Sequence, residues 1–155
     1  MNPDTTTNTM RRVAALAALL AVSAAMAQST PVGLWKSIDD ATKLEKSLVR
    51  ILDNGGVYSG RIEKLLDPAT PPDKRCEKCL DDRKDKPLLG LEVIRGVRKS
   101  EDAEAQWDGG TILDPTSGKN YKLRLTLLDE GRKMQVRGYI GTPMLGRSQV
   151  WTRME

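Results

Sequence analysis

The 155-residue chain contains no histidine and no phenylalanine, and only two cysteines. Without histidine there is no Ser-His-Asp or Cys-His catalysis, no His-ligated zinc and no His-ligated haem. Without phenylalanine, any core must be filled by Leu, Val and Ile together with three Trp and three Tyr. After residue 27 there is no long hydrophobic run of the ~20 residues that a membrane-spanning helix requires. The glycine motifs lie in turns, and none joins a strand to a helix as a phosphate-binding loop does.

What is present begins with an export pattern. Arg11-Arg12 is a basic start, Val13 to Ala25 is a short run of small apolar residues, and Ala25-Met26-Ala27 has the form of a cleavage site. We expect residues 1–27 to be a signal peptide removed before Gln28, with Met10 as an alternative start. No Cys follows the cut, which argues against a lipid anchor. The expected location is the periplasm or the exterior, in the envelope of a Gram-negative bacterium. Residues 28–155 then form one domain. They carry 23 basic and 20 acidic side chains, a formal charge of +3 that is too mild to imply a nucleic-acid partner.

From Gln28 onward the pattern is that of strands. Tyr121 to Leu127 alternates apolar and polar residues at every step, the mark of a half-buried strand. Met134, Val136, Gly138 and Ile140 alternate with Gln135, Arg137 and Tyr139. Further strands are expected over Val32–Ser37, Ser47–Asp53, Val57–Leu66, Leu88–Val97, Ala103–Leu113 and Arg147–Arg153. Asn54-Gly55-Gly56 is a hairpin signal, and Asp114 to Lys119 and Asp129-Glu130-Gly131 are turns. Residues 67–87 hold four prolines and many charges and form one long loop of a kind that is usually functional or mobile.

Eight strands with short connections favour an all-β, antiparallel up-and-down barrel over a two-sheet sandwich, because parallel strands need long crossovers and sandwiches need Greek-key crossings. The interior of such a barrel is filled by side chains or holds one small ligand. The aromatic and arginine residues on strands are the candidates for a ligand wall: Trp35, Tyr58, Trp107, Tyr121, Arg137 and Tyr139. The competing reading is that they fill a solid core.

Cys76 and Cys79 admit a local disulfide, a redox pair or half of a metal site. The redox reading lacks a helix N-terminus, and the metal reading lacks a second pair of ligands. The carboxylate pairs Asp39-Asp40 and Asp81-Asp82 sit in polar loops, with nothing to set the ~5–9 Å separation of a glycosidase dyad. No catalytic residue, metal site or cofactor is expected.

Gly33, Trp35 and Arg153, a Gly-x-Trp in the first strand and an Arg in the last, are similar to the lipocalin and calycin arrangement. There the Trp closes one end of the barrel and the Arg packs over it, as a guanidinium stacks well on an indole face. A broader resemblance is carried by Gly33-Leu34-Trp35, Tyr58-Ser59-Gly60, Cys76-Glu77-Lys78-Cys79 and Trp107-Asp108-Gly109-Gly110. It continues through Asp114-Pro115, Gly118 to Tyr121, Arg137 to Gly141, Gly146-Arg147 and Trp151 to Arg153. On these the mature chain resembles the bacterial secreted family called domain of unknown function 2147. The resemblance implies a lipocalin-like architecture and an envelope location but no reaction. The expected function is to bind a small apolar or amphipathic ligand in the barrel. The rival readings are a filled barrel acting as an interaction module through its long loop, and a redox protein using the two cysteines.

Overall fold

The computed structural model describes residues 30–155, so the expected signal peptide falls outside the described residues. Eight strands follow in order: β1 (Gly33–Ile38), β2 (Glu45–Asp53), β3 (Tyr58–Leu65), β4 (Glu92–Lys99), β5 (Gln106–Asp114), β6 (Lys119–Leu128), β7 (Lys133–Tyr139) and β8 (Gly146–Arg153). Each pairs antiparallel with its sequence neighbour, and β1 pairs with β8 to close the barrel. Among the described residues no helix is long and apolar enough to cross a membrane.

Alternation builds the wall. In β6, Leu123 and Leu125 are fully buried while Lys122 is exposed and Arg124 and Thr126 are partly so. In β7, Met134 and Val136 are buried between less buried Gln135 and Arg137. The Asn54–Gly56 hairpin forms as expected, with positive φ at Gly55 and Gly56 and the Asp53 carboxylate accepting from the Gly56 N–H at 2.6 Å. Two strand starts differ from expectation by three residues or more. β4 begins at Glu92 rather than Leu88, because Leu88 and Leu91 belong to a turn in which the Leu88 N–H bonds to the Lys74 carbonyl and the Gly90 N–H to that of Ile62. These leucines are apolar because the turn packs onto the barrel core, not because they alternate in a ladder. β5 begins at Gln106, and its pairing with β6 shifts register between Trp107 and Gly110.

The barrel divides along its axis. One end carries the β2–β3, β4–β5 and β6–β7 turns and both described termini. There Trp35, Ile51, Tyr58, Val97, Trp107, Leu125 and Met134 pack into a filled core. The Tyr58 ring meets Trp107 edge-on, with centroids 6.3 Å apart. The other end carries the β1–β2, β5–β6 and β7–β8 loops and the long β3–β4 connection.

Closure rests on few backbone pairs, Trp35 with Arg153 and Lys36 with Thr152. Side chains reinforce it. The Arg153 guanidinium lies 4.2 Å from the centre of the buried Trp35 ring. It donates to the carbonyls of Gly131 (2.6 Å), Val32 (2.5 Å) and Thr30 (2.7 Å). The Trp35 indole N–H donates to the Pro31 carbonyl at 2.8 Å. Gly33 makes room, since at its φ of +138° a Cβ would sit 2.7 Å from the Arg153 guanidinium and 2.5 Å from the Glu155 carbonyl. The three residues singled out as barrel-closing therefore meet at the first and last strands.

Removing Arg153 takes away the stacked cation and leaves three carbonyls without their donor. The expected cost is about 2–4 kcal/mol, from charge-assisted hydrogen bonds and the cation–π contact. Arg153→Ala should lower Tm by roughly 10 °C in a domain of this size. Arg153→Lys should restore only part of the loss, because an ammonium cannot stack and fork in the same way. Thermal melts followed by circular dichroism check this, and an unchanged melt would remove Arg153 from barrel closure.

Candidate functional site

Towards the open end the side chains no longer fill the barrel. A cavity of about 740 Å³ lies there, within the size range of small-molecule sites. Its walls come from the inward phase of the strands: Val49 on β2, Ile62 on β3, Val93 on β4, Ile112 on β5, Val136 and Gly138 on β7, and Trp151 on β8. Leu65 and Leu88, at the two ends of the β3–β4 connection, complete the apolar lining. A Cβ on Gly138 would touch Tyr121 and Ile112 at 3.4 and 3.5 Å, so the missing side chain leaves space between them.

Polar groups also line the cavity, and several of them are partnered. Ser37 and Ser47 face one another across β1 and β2 with their hydroxyls 2.9 Å apart, and the Ser47 N–H donates to the Ser37 Oγ at 3.1 Å. The Gln149 side-chain carbonyl accepts from the Trp151 indole N–H at 2.9 Å. At the rim Lys46 pairs with Asp67, and Arg147 pairs with Asp40 at 2.9 Å, joining the β1–β2 loop to β8. Asp39 accepts from the Ala41 and Thr42 N–H groups and the Thr42 hydroxyl. Those Thr42 hydrogen bonds hold its carboxyl below the usual carboxylate range. The rim thus offers charges of both signs above an aliphatic interior.

The sequence-expected wall residues separate into three groups. Tyr121 lines the cavity. Trp35, Tyr58 and Trp107 lie in the filled half, where Lys99 stacks over Trp107 at 4.4 Å. Arg137 and Tyr139 belong to the opposite phase of β7 from Val136 and Gly138, so neither joins the cavity lining. Arg137 instead braces the β7–β8 loop from outside, donating to the Pro143 carbonyl at 2.6 Å and the Ser148 hydroxyl at 2.8 Å. Of the six expected wall residues, Tyr121 alone lines the cavity, whose wall otherwise includes Trp151 and aliphatic neighbours. Trp151 was readable as an inward residue from its phase in β8. Ser37 and Ser47 are signalled only as polar residues at inward positions.

The long loop is tied to the rim. Cys76 and Cys79 form a disulfide, and both sulfur-bearing residues are buried, 0% and 1% exposed. That burial counts against the redox reading, which needs an accessible sulfur. The disulfide ring docks on the β5–β6 turn at Gly118, whose φ is +72° and whose missing Cβ would lie 1.9 Å from the Lys78 carbonyl oxygen. Arg83, 2% exposed, is a second anchor that the sequence reading did not single out. It pairs with Asp81 at 2.5 Å and donates to the Asn120 side chain at 2.6 Å and the Glu92 carbonyl at 3.0 Å. Its signal is faint, a single Arg in a highly charged loop. The two carboxylate pairs serve this framework: Asp81 holds Arg83, Asp82 forks with Arg95, Asp40 holds Arg147 and Asp39 caps its own loop.

This geometry defines a lipocalin-type barrel. Protein HP1028 of Helicobacter pylori, described as belonging to the lipocalin family, has a similar structure with a TM-score of 0.68. The match covers 80% of this chain and 82% of that one at 14% identity, so it concerns the fold alone. The chain belongs to the family described as uncharacterized protein conserved in bacteria (DUF2147), whose profile matches residues 33–153. A comparison with curated protein sequences finds no match.

Two expected outcomes follow from the loop anchors. Gly118→Ala forces a Cβ into the Lys78 carbonyl and a left-handed backbone on Ala, costing ~1–2 kcal/mol from the backbone alone. It should undock the disulfide ring and speed tryptic cleavage at Lys74, Lys78 and Lys84, whereas Gly141→Ala, with open space around its Cβ position, should not. Asp81 is held well below the usual carboxylate range, chiefly by its hydrogen bonds with Arg83. A depressed carboxylate contributes stability above the unfolded-state pKa of about 4 and loses it as the pH falls below that. The Tm deficit of Asp81→Asn should therefore be largest near neutrality and shrink as melts are taken below about pH 4.

Proposed function

We propose that the protein is a non-enzymatic binding protein of the bacterial envelope that carries one small amphipathic molecule in the open half of its barrel. The carrying observation is the 740 Å³ cavity with an aliphatic wall and a charged rim. An apolar tail fits against Val49, Ile62, Val93, Ile112 and Val136, and a polar end fits near Ser37, Lys46 and Arg147 at the mouth. Burying a few methylenes there contributes ~0.8 kcal/mol each, enough for a chain of moderate length to be held without a strong polar contact. The lipocalin-like fold and the export pattern at the N-terminus support the same reading. A wholly filled barrel describes only the half that holds Trp35 and Trp107.

Native mass spectrometry of protein prepared without organic solvent is expected to show an added mass that leaves on denaturation. Gly138→Leu places a branched side chain between Tyr121 and Ile112, where a Cβ has ordinary van der Waals room. This variant should melt within a few degrees of the parent and lose the added mass. A Gly138→Leu protein that retains the same mass would place the ligand outside the cavity.

A further inference from the structure

The loop between β7 and β8 exposes three large apolar side chains beside the cavity mouth: Ile140 (66% exposed), Met144 (88%) and Leu145 (73%). Ile140 and Leu145 also border the cavity itself. The loop is built rather than loose. The Leu145 N–H donates to the Thr142 carbonyl at 3.0 Å, and Arg137 donates to the Pro143 carbonyl from below. Leu44, on the β1–β2 loop at the same end, is 54% exposed.

Behind this loop stands an uncompensated basic wall. Arg124 on β6 pairs directly across from Arg137 on β7, and Lys122 across from Tyr139. Like charges directly opposite on a sheet are destabilising. Among the described residues none of Lys122, Arg124 and Arg137 makes an ion pair with a carboxylate, although twelve such pairs occur elsewhere. The Arg124 Nε is buried with no hydrogen-bond acceptor. Arg137 is held by the β7–β8 loop, but among the described residues no paired carboxylate balances the three charges, whereas an anionic surface outside the molecule would.

We propose that the open end docks on an anionic phospholipid bilayer. Ile140, Met144 and Leu145 enter the boundary between headgroups and acyl chains, and Lys122, Arg124 and Arg137 meet headgroup phosphates. Reversible attachment to a bilayer needs an apolar and a basic element together, and here they adjoin. Docked this way, the cavity faces the source of its amphipathic ligand. That purpose rests on the cavity reading, but the docking stands without it.

The test is flotation of the chain from Gln28, which contains every strand of the closed barrel. Vesicles of phosphatidylcholine with and without phosphatidylglycerol are compared at low ionic strength. The protein is expected to float with the anionic vesicles, to stay behind with neutral ones, and to be released by added salt. Met144→Asp should weaken vesicle binding about tenfold or more, from the loss of one buried apolar side chain. Lys122→Glu should weaken it by about tenfold, from the charge reversal near the surface. Gly138→Leu, which closes the cavity but leaves the outer face intact, should float like the parent; failure of ligand retention and failure of docking are thereby read separately. No flotation with anionic vesicles, or flotation indifferent to Met144→Asp and Lys122→Glu, overturns the proposal. So does a concentration-dependent dimer in sedimentation that Met144→Asp abolishes, which would give this face to a second copy of the chain.

Discussion

The seam between the first and last strands is the constraint on which the rest depends. Only two residue pairs join β1 to β8 in the ladder. A guanidinium stacked on a buried indole does the remaining work, reaching carbonyls at the described N-terminal end and in the β6–β7 turn. Because the seam joins residues more than a hundred positions apart, the core beneath it cannot be sealed until the final strand is in place. Loop-closure entropy of this kind is met late in folding. Once the seam is shut, none of the described strands presents an open edge to recruit another chain.

With one end sealed, the two halves of the barrel are free to differ. The closed half holds the rings of Trp35, Tyr58 and Trp107 and is filled; the open half is lined by Tyr121, Trp151, small or aliphatic residues and a few polar ones, and stays hollow. The disulfide ring and Arg83 then fix the long connection against the β5–β6 turn, so that Leu88 forms part of the cavity wall rather than the tip of a free loop. The filled core and the cavity thereby lie at opposite ends of the same sheet.

Much of this was legible from the residues. Period-2 alternation located the strands because one face of each is buried, and turn chemistry such as Asn54-Gly55-Gly56 located the hairpins. Gly33, Trp35 and Arg153 were legible through the resemblance of a Gly-x-Trp in the first strand and an Arg in the last to the lipocalin arrangement, in which a guanidinium stacks on an indole. What alternation does not encode is height along the barrel axis. Tyr58 and Trp107 have inward phases, as Tyr121 does, yet two of them lie in the filled half and one in the cavity. Phase alone would have set Arg137 and Tyr139 outside, since each is flanked by inward residues of the same strand; their chemistry suggested a ligand more strongly than their spacing allowed. The start of β4 was obscured because Leu88 and Leu91 are apolar for packing under the loop. Arg83 could not be picked out among its charged neighbours, since only the fold reveals which arginine is buried.

The placement of the three indoles has an optical consequence. Trp35 and Trp107 sit in the sealed half, each beneath a cation, while Trp151 borders the hollow half with its N–H held by Gln149. A molecule entering the barrel changes the surroundings of Trp151 alone. The tryptophan fluorescence therefore divides into a background from two shielded emitters and one emitter at the cavity, a built-in gauge of whether a molecule enters it.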